Sequence, residues 1–379
     1  MDPLTIAKEL IRCGSVTAVS NADCADLLTR LLQKRRFDVQ NYQHLDQQGC
    51  SKVTLAALRT GRRQTKAGLA FLSQSDVVST DGWNAPDGSG PFDATVRHDR
   101  LWGRGTCDMK GPIASALAAI DRIDEAKQDS PIYFFITGDE ECGMLGADLL
   151  AKHCEIFSAM AQAGSVGIIT EPTELRVVNA HKGGCRFNVV SHGLAAHSST
   201  SAGCNANWQL IPWLNHLREV SLRVQQDSSL RNELFDPPTL SLNAILRNHP
   251  AEFNITPSHA SCEVFLRTMP ATAWEDLVQS LVESAKEMGL EVSAVSALPP
   301  LHTSADRPFV LEALKVTEQS TPLTAGYATD GCRYSNHDNL IVLGPGSIDQ
   351  AHRCDEWIAI DQLNRGTTIY HDLLVRYCM

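Results

Sequence analysis

Acids and one histidine recur at the ends of apolar runs in this sequence, and their types suit metal-assisted proton chemistry. The run Pro131-Ile132-Tyr133-Phe134-Phe135-Ile136 leads into Gly138-Asp139-Glu140-Glu141-Cys142-Gly143. A buried strand that ends in acids and then glycine places them at the carboxyl edge of a sheet, where open α/β sheets bind ligands. Neighbouring Glu residues point to opposite faces in a strand but can converge in the turn that follows. One could then hold a metal while the other moves protons. Taken alone, the pair is better explained as an acidic loop or a helix N-terminus.

The same placement recurs elsewhere. Asp76 follows Leu69–Leu72, Asp108 lies in Gly105-Thr106-Cys107-Asp108-Met109-Lys110-Gly111, and Glu171 follows Val166–Thr170. His352 follows Leu340-Ile341-Val342-Leu343-Gly344-Pro345-Gly346. Asp, Glu and His without Cys suit a hydrolytic site for Zn²⁺ or a similar divalent ion. Asp108 could instead cap the helix after it, and His352 could be an exposed loop histidine. Repetition at five strand ends favours one shared site.

The elements that must position these groups alternate. Leu4–Ile11, Ala22–Leu32 and Pro112–Ile123 carry helical spacing, while Val53–Leu58, Leu69–Leu72, Pro131–Ile136 and Val166–Thr170 read as buried strands. A Pro/Gly/Asp-rich loop spans Thr80–Gly90. This βα alternation predicts an α/β domain: a mixed, mostly parallel sheet flanked by helices. From Cys185 the pattern becomes strand Cys185–Ser191, helix Asn205–Gln225, strands Thr239–Leu246 and Ala260–Arg267, helix Ala273–Met288 and strand Leu290–Val295. That order predicts an inserted ferredoxin-like α+β domain. Helix Pro308–Gln319, strand Leu340–Leu343 and helix Ile360–Tyr377 return to the first sheet. The predicted boundaries are 1–183 and 297–379 for the two parts of the catalytic domain and 184–296 for the insert. Apolar Trp208, Leu210, Ile211, Trp213, Leu214 and Leu217 are expected to pack on the insert's sheet.

Composition narrows the function classes. A chain of 379 residues exceeds the usual single core, and a net charge of -11 disfavours a nucleic-acid partner. No apolar run is long enough for a membrane span. Met1-Asp2-Pro3-Leu4-Thr5 has no basic or apolar leader pattern, so a cytoplasmic protein is expected. The twelve cysteines include no C-x-x-C pair and are expected to be reduced thiols.

The segments Gly103-Arg104-Gly105-x-x-Asp108-Met109-Lys110-Gly111, Asp139-Glu140-Glu141-x-Gly143, Glu171-Pro172-Thr173 and Gly193-x-x-x-His197-Ser198-Ser199 resemble those of the dinuclear metal deacylases and exopeptidases. That family includes acetylornithine deacetylases, succinyl-diaminopimelate desuccinylases and aminoacylases. Ala180-His181-Lys182-Gly183 and Gly344-Pro345-Gly346-Ser347-Ile348-Asp349-Gln350-Ala351-His352-x-x-Asp355-Glu356 look most like the acetylornithine deacetylase branch. The resemblance implies one or two Zn ions per chain, with Co or Mn as substitutes. Asp108 would bridge them, Glu141 and His352 would complete one site, and Glu171 would belong to the other. Glu140 would be the general base, and Asp76 would orient a ligand. His197 would stabilise the oxyanion in a partner subunit's site. Asn254 and Arg267 would bind the substrate carboxylate or complete the site. Thr329 and Asp330 would meet the substrate side chain, although Thr329-Asp330-Gly331 also resembles the desuccinylases.

The resemblance further implies a homodimer formed through the insert and a place in arginine biosynthesis. The substrate would be an N-acyl amino acid such as N-acetyl-ornithine or N-acetyl-citrulline. Desuccinylation, dipeptide cleavage and a non-catalytic binding role are the alternatives. One departure stands out: the family's metal histidine lies two residues before its supporting Asp, and here that position is Gln74. An amide is a poorer zinc ligand than imidazole. The predicted consequence falls on the site shared by Asp108 and Glu171.

Overall fold

In the computed structural model, which describes residues 1–63, 66–334 and 337–379, the four most apolar runs become adjacent strands. Ile132–Thr137, Leu69–Gln74, Val166–Ile169 and Leu340–Val342 pair in that order, all parallel. Every residue in them is buried, as expected when helices cover both faces of a sheet. Antiparallel strands flank this core. Ser51–Arg59 and Asp38–Leu45 extend one side, and Val178–His181 the other. The chain divides into two compact units, residues 1–180 with 302–323 and 329–379, and residues 181–301 with 324–328.

In the first unit, helix Lys110–Ile120 is buried along its whole length. Its Ala and Ser residues leave room for Pro3–Ile11 and Ile360–Cys378 to pack against it. A small antiparallel sheet joins Trp102 to Trp357, far apart in sequence, and holds the segment before Asp108 beside Glu356. Sequence patterning does not pick out several elements here, strand Val178–His181 among them. Strand Asp38–Leu45 is polar and largely exposed, and helices Leu145–His153 and Glu155–Gln162 are short.

The second unit has the order strand Gly184–His192, helix Ala206–Arg223, strands Ser241–His249 and His259–Arg267, helix Trp274–Glu287 and strand Glu291–Leu298. The strands lie in the spatial order 241–249, 259–267, 184–192, 291–298, with every neighbouring pair antiparallel. This is the ferredoxin-like arrangement. Alternation along Gly184–His192 buries Cys185, Phe187 and Val189 and exposes Arg186 and His192. On the first helix Leu210, Trp213 and Leu217 are buried, and Trp213 Nε1 donates to Leu281 O at 3.2 Å. The expected stripe is therefore narrower than predicted, because Trp208 is 69% exposed and Ile211 38%.

All twelve cysteines are free, and no helix among the described residues is long and apolar enough to cross a membrane. A Cβ at Gly111, in the first turn after Asp108, would stand 2.2 Å from Thr106 O, a backbone atom that cannot rotate away. Gly111→Ala should therefore cost about 1–3 kcal/mol of stability, read as a lower urea midpoint. An unchanged midpoint would show that this turn relaxes freely.

Candidate metal centre

Parallel strands end at one edge of their sheet, so the segments after them converge. Gln74 pairs with Thr137 at the ends of the two central strands. Beyond them, Asp108, Glu141 and His352 offer ligand atoms that all lie within 4.8 Å of one another. His352 Nε2 stands 3.5 Å from Asp108 Oδ2 and 3.3 Å from Glu141 Oε2. His352 takes φ 63°, an uncommon value for a non-glycine residue and a local strain of the kind that gathers at functional sites.

Further acids close in on this trio. Glu171 is buried beside this trio, and the Asp108 and Glu141 charges act against its ionised form. Asp76 accepts from the backbone N–H groups of Glu140 and Glu141, each at 3.3 Å, and so holds the turn that aims both Glu side chains. Burial first, then the Glu141 charge, push the Glu140 carboxyl well above its ordinary range. Burial and then Asp108 do the same to Glu171. Glu141 is pushed up to about 8 by burial and Asp108, and Asp76 up to about 6 by burial and Asp139. The Asp108 and Glu141 carboxylates beside His352 raise it to about 10. A divalent cation relieves this repulsion, and two oxygens with one imidazole nitrogen are a donor set that zinc accepts. The residues therefore fit a metal ion.

Gln74 occupies the edge of this cluster. Its Nε2 donates to Asp108 Oδ1 at 3.2 Å and to Glu141 Oε1 at 3.3 Å, while its buried Oε1 has no partner. The amide thus leans on Asp108 and Glu141, whereas the sequence groups it with Asp108 and Glu171. Asp330 is 6% exposed, its Oδ2 accepts from Thr137 Oγ1 at 2.6 Å, and its Oδ1 is unpartnered. Its charge is among those acting on Glu140 and Glu171, so it belongs to the acid cluster. The Thr329 hydroxyl accepts from Gly331 N and caps the turn that presents Asp330.

The remaining predicted residues lie in the second unit. His197 is exposed, its Nδ1 stands 2.7 Å from Ser199 Oγ, and its segment pairs with Ile255. Ser198 N donates to Asn254 O at 3.0 Å, so His197 and Asn254 share one loop cluster. Arg267 lies at the opposite end of strand His259–Arg267, with its guanidinium 5.0 Å from the Phe265 ring centroid. At about 3.3 Å per residue the strand holds Arg267 well over 20 Å from that loop.

Sequence reasoning assigns no role to Glu356, which the structure makes central to the loop before Asp108. Its Oε1 accepts from Cys107 N at 2.7 Å and Asp108 N at 3.2 Å. Its Oε2 accepts from Gly105 N at 2.8 Å and Arg104 Nη1 at 3.0 Å. A carboxylate gripping successive N–H groups fixes the peptide that carries Asp108. In the sequence it shows only as the last residue of the motif that runs from Gly344, directly before the apolar triplet Trp357-Ile358-Ala359.

Comparison with known proteins extends this picture. The model of peptidase family M20/M25/M40 matches residues 70–376. An acetylornithine deacetylase of Myxococcus xanthus is 27% identical over 98% of this chain and 96% of its own. The crystal structure of a Staphylococcus aureus tripeptidase superposes with a TM-score of 0.74 at 18% identity, covering 98% of this chain and 97% of that one. A dinuclear metal binding peptidase of Bacillus subtilis superposes with a TM-score of 0.64 at 13% identity, covering 99% and 97%.

The buried Arg104–Glu356 pair and the N–H groups around it set a clear expectation. Glu356→Ala should lower stability by about 3–5 kcal/mol, because it strands a buried guanidinium. It should also weaken metal binding through Asp108. Denaturant unfolding and metal titration read the two effects, and a loss below about 1 kcal/mol would show that the loop holds its own shape.

Proposed function

The chain belongs to peptidase family M20/M25/M40, and from that membership we propose that this hydrolase cleaves the amide of an N-acyl amino acid, with N-acetyl-ornithine or N-acetyl-citrulline first. The observation that supports this reading most is the Asp108, Glu141 and His352 trio beside the half-buried Glu140. Asp108, Glu141 and His352 would hold the ion. Bound there, zinc, or cobalt or manganese in its place, supplies polarisation of the scissile carbonyl and of the attacking water. Glu140 takes the proton of that water and passes it to the leaving amine. Asp76 keeps Glu140 and Glu141 aimed through their backbone N–H groups. The products are a small carboxylate and a free amino acid.

Glu171 and Gln74 define a second, weaker position. A neutral amide that donates to Asp108 and Glu141 competes with a cation for the same oxygens, so the two positions hold ions unequally. Relatives named acetylornithine deacetylase favour deacetylation, and the motif resemblance would place it in arginine biosynthesis in the cytoplasm. Desuccinylation and dipeptide cleavage are the alternatives in the same family. A homodimer through the second unit is supported by strand Ser241–His249, an edge strand exposed along most of its length. In that dimer His197 would reach the partner's site as oxyanion donor, with Asn254, Arg267, Thr329 and Asp330 around the substrate.

Amine release from a panel of N-acetyl, N-succinyl and dipeptide substrates ranks these readings. Glu140→Ala should lower turnover by about 10²–10⁴-fold with metal content unchanged. An unaltered rate would sink the hydrolase reading in favour of a binding protein. Wild type should hold one ion tightly and lose a second easily, and Gln74→His should raise occupancy of the second. Two equally tight ions in wild type would refute the inequality. Mixing His197→Ala chains with Glu140→Ala chains should restore activity if His197 acts across the dimer, and no recovery would count against it.

A further inference from the structure

We infer that the open face of the four-stranded sheet in the second unit carries a site for a small multivalent oxyanion, a polycarboxylate or a phosphate, held by Arg186 and Arg247. Register sets the arrangement. Asn188 pairs with Glu263 and with Ser293, and Arg247 pairs with Ser261. Directly opposed residues on antiparallel strands project to one face, and residues two apart along a strand share it. Arg186 shares a face with Asn188, and Ser261 with Glu263, so six polar side chains from four strands stand together. The alternate positions Phe187, Val189, Cys262 and Val264 are buried, so the six occupy the face that the helices leave open. They line a depression of about 230 Å³. That is below the roughly 300–1,000 Å³ of a site for a drug-sized molecule and suits a smaller ligand.

Glu263 holds the two arginines apart and in place. Its Oε2 accepts from Arg247 Nη1 at 3.0 Å, and its Oε1 lies 3.4 Å from Arg186 Nε. A guanidinium carries about five N–H donors, so each arginine keeps most of its donors beyond the one turned to Glu263. The Glu263 side chain is 26% exposed, against 57% for Arg186 and 65% for Arg247. The acid therefore forms the floor, and the guanidiniums stand at the rim, where an incoming anion meets them first. Two positive charges face one negative charge, which leaves the lining positive on a chain whose net charge is -11. The planar guanidinium fork matches the paired oxygens of a carboxylate or a phosphate. Ser261, Ser293 and Asn188 add neutral donors around it.

The bland explanation is a pair of surface ion pairs that contribute little. It needs only one arginine for Glu263, and it leaves the second arginine and the hydroxyl-lined depression without a role. With Glu263 bracing both guanidiniums, an anion has less side-chain freedom to remove on binding. None of these residues belongs to the Asp108 group, and the inference does not depend on the hydrolytic reading. The bound anion would tie strand 184–192 to strand 241–249 across strand 259–267. The first two of these strands run on into the segments that carry His197 and Asn254, so the anion would stiffen the base of that loop cluster.

The test uses the full chain with its metal, titrated at fixed ionic strength with inorganic phosphate and, separately, with propane-1,2,3-tricarboxylate, against a chloride control. Wild type should bind one anion per chain at this site. Arg186→Gln and Arg247→Gln should each weaken it by about tenfold or more, and the double variant should lose it. His352→Gln should retain it, which separates this site from anions bound at the Asp108 metal centre. The Arg186 and Arg247 Nε–H NMR signals should shift on saturation in wild type and in His352→Gln alike. Tighter binding of phosphate would assign the site to phosphorylated ligands, and tighter binding of the tricarboxylate to carboxylates. Because the changed arginines are at the surface, matching far-UV circular dichroism confirms that the variants fold. Equal affinities in wild type and the double variant, binding of neither anion, or binding lost in His352→Gln would overturn the site and leave surface ion pairs only.

Discussion

Several carboxyl groups buried at one sheet edge govern the rest of the first unit. Charge removed from water is costly unless it is paired, and like charges raise that cost. Glu140, Glu141, Glu171 and Asp330 share this condition, each with its carboxyl raised first by burial. His352 alone cannot offset so many acids. The scaffold nevertheless holds them together, with parallel strands setting where each segment leaves the sheet and Asp76 bracing the Glu turn. Stability given up in this way is typical of a site built to receive a cation.

Glu356 shows the opposite solution to the same problem. It is fully buried, yet backbone N–H groups and Arg104 satisfy both of its oxygens. Two kinds of buried acid are therefore separated by only a few ångströms of chain at Asp108. One is neutralised internally and shapes the loop, and the other is left in want of positive charge. That contrast is a better guide to function than burial alone. Gln74 belongs between them. Its amide answers part of the acid demand with hydrogen bonds, leaving its own oxygen orphaned.

Legibility in the sequence followed the strength of the physical signal. Runs such as Ile132–Thr137 are apolar because they are buried on both faces, so their positions and the acids after them could be read directly. The β-α-β-β-α-β order was legible for the same reason. Asp38–Leu45 was not, since an edge strand with one wet face need not be apolar. Leu145–His153 was hidden because Asp139, which looks like part of an acidic motif, in fact caps that helix through Leu145 N and Gly146 N. The exposure of Trp208 escaped notice because helical spacing marks a stripe without saying how wide its buried part is. Glu356 and the burial of Asp330 depend on contacts across long sequence separations, which spacing cannot encode.

The same limit applies with more force to antiparallel sheets. A site on successive parallel strands leaves a trace, because each ligand follows its own apolar run at a similar offset. In the second unit the strands alternate in direction, so Arg186 comes early in its strand, Arg247 late in its own and Glu263 midway along a third. No common offset exists, and each reads as an isolated charged residue in an alternating strand. Only pairing register shows that these positions share one face. A one-residue slip in any strand would turn its charged side chain to the helix-covered face. The buried Phe187, Val189, Val264 and Leu266 oppose such a slip, because it would bring them out into water. The core packing that fixes the register therefore also fixes which side chains meet on the open face.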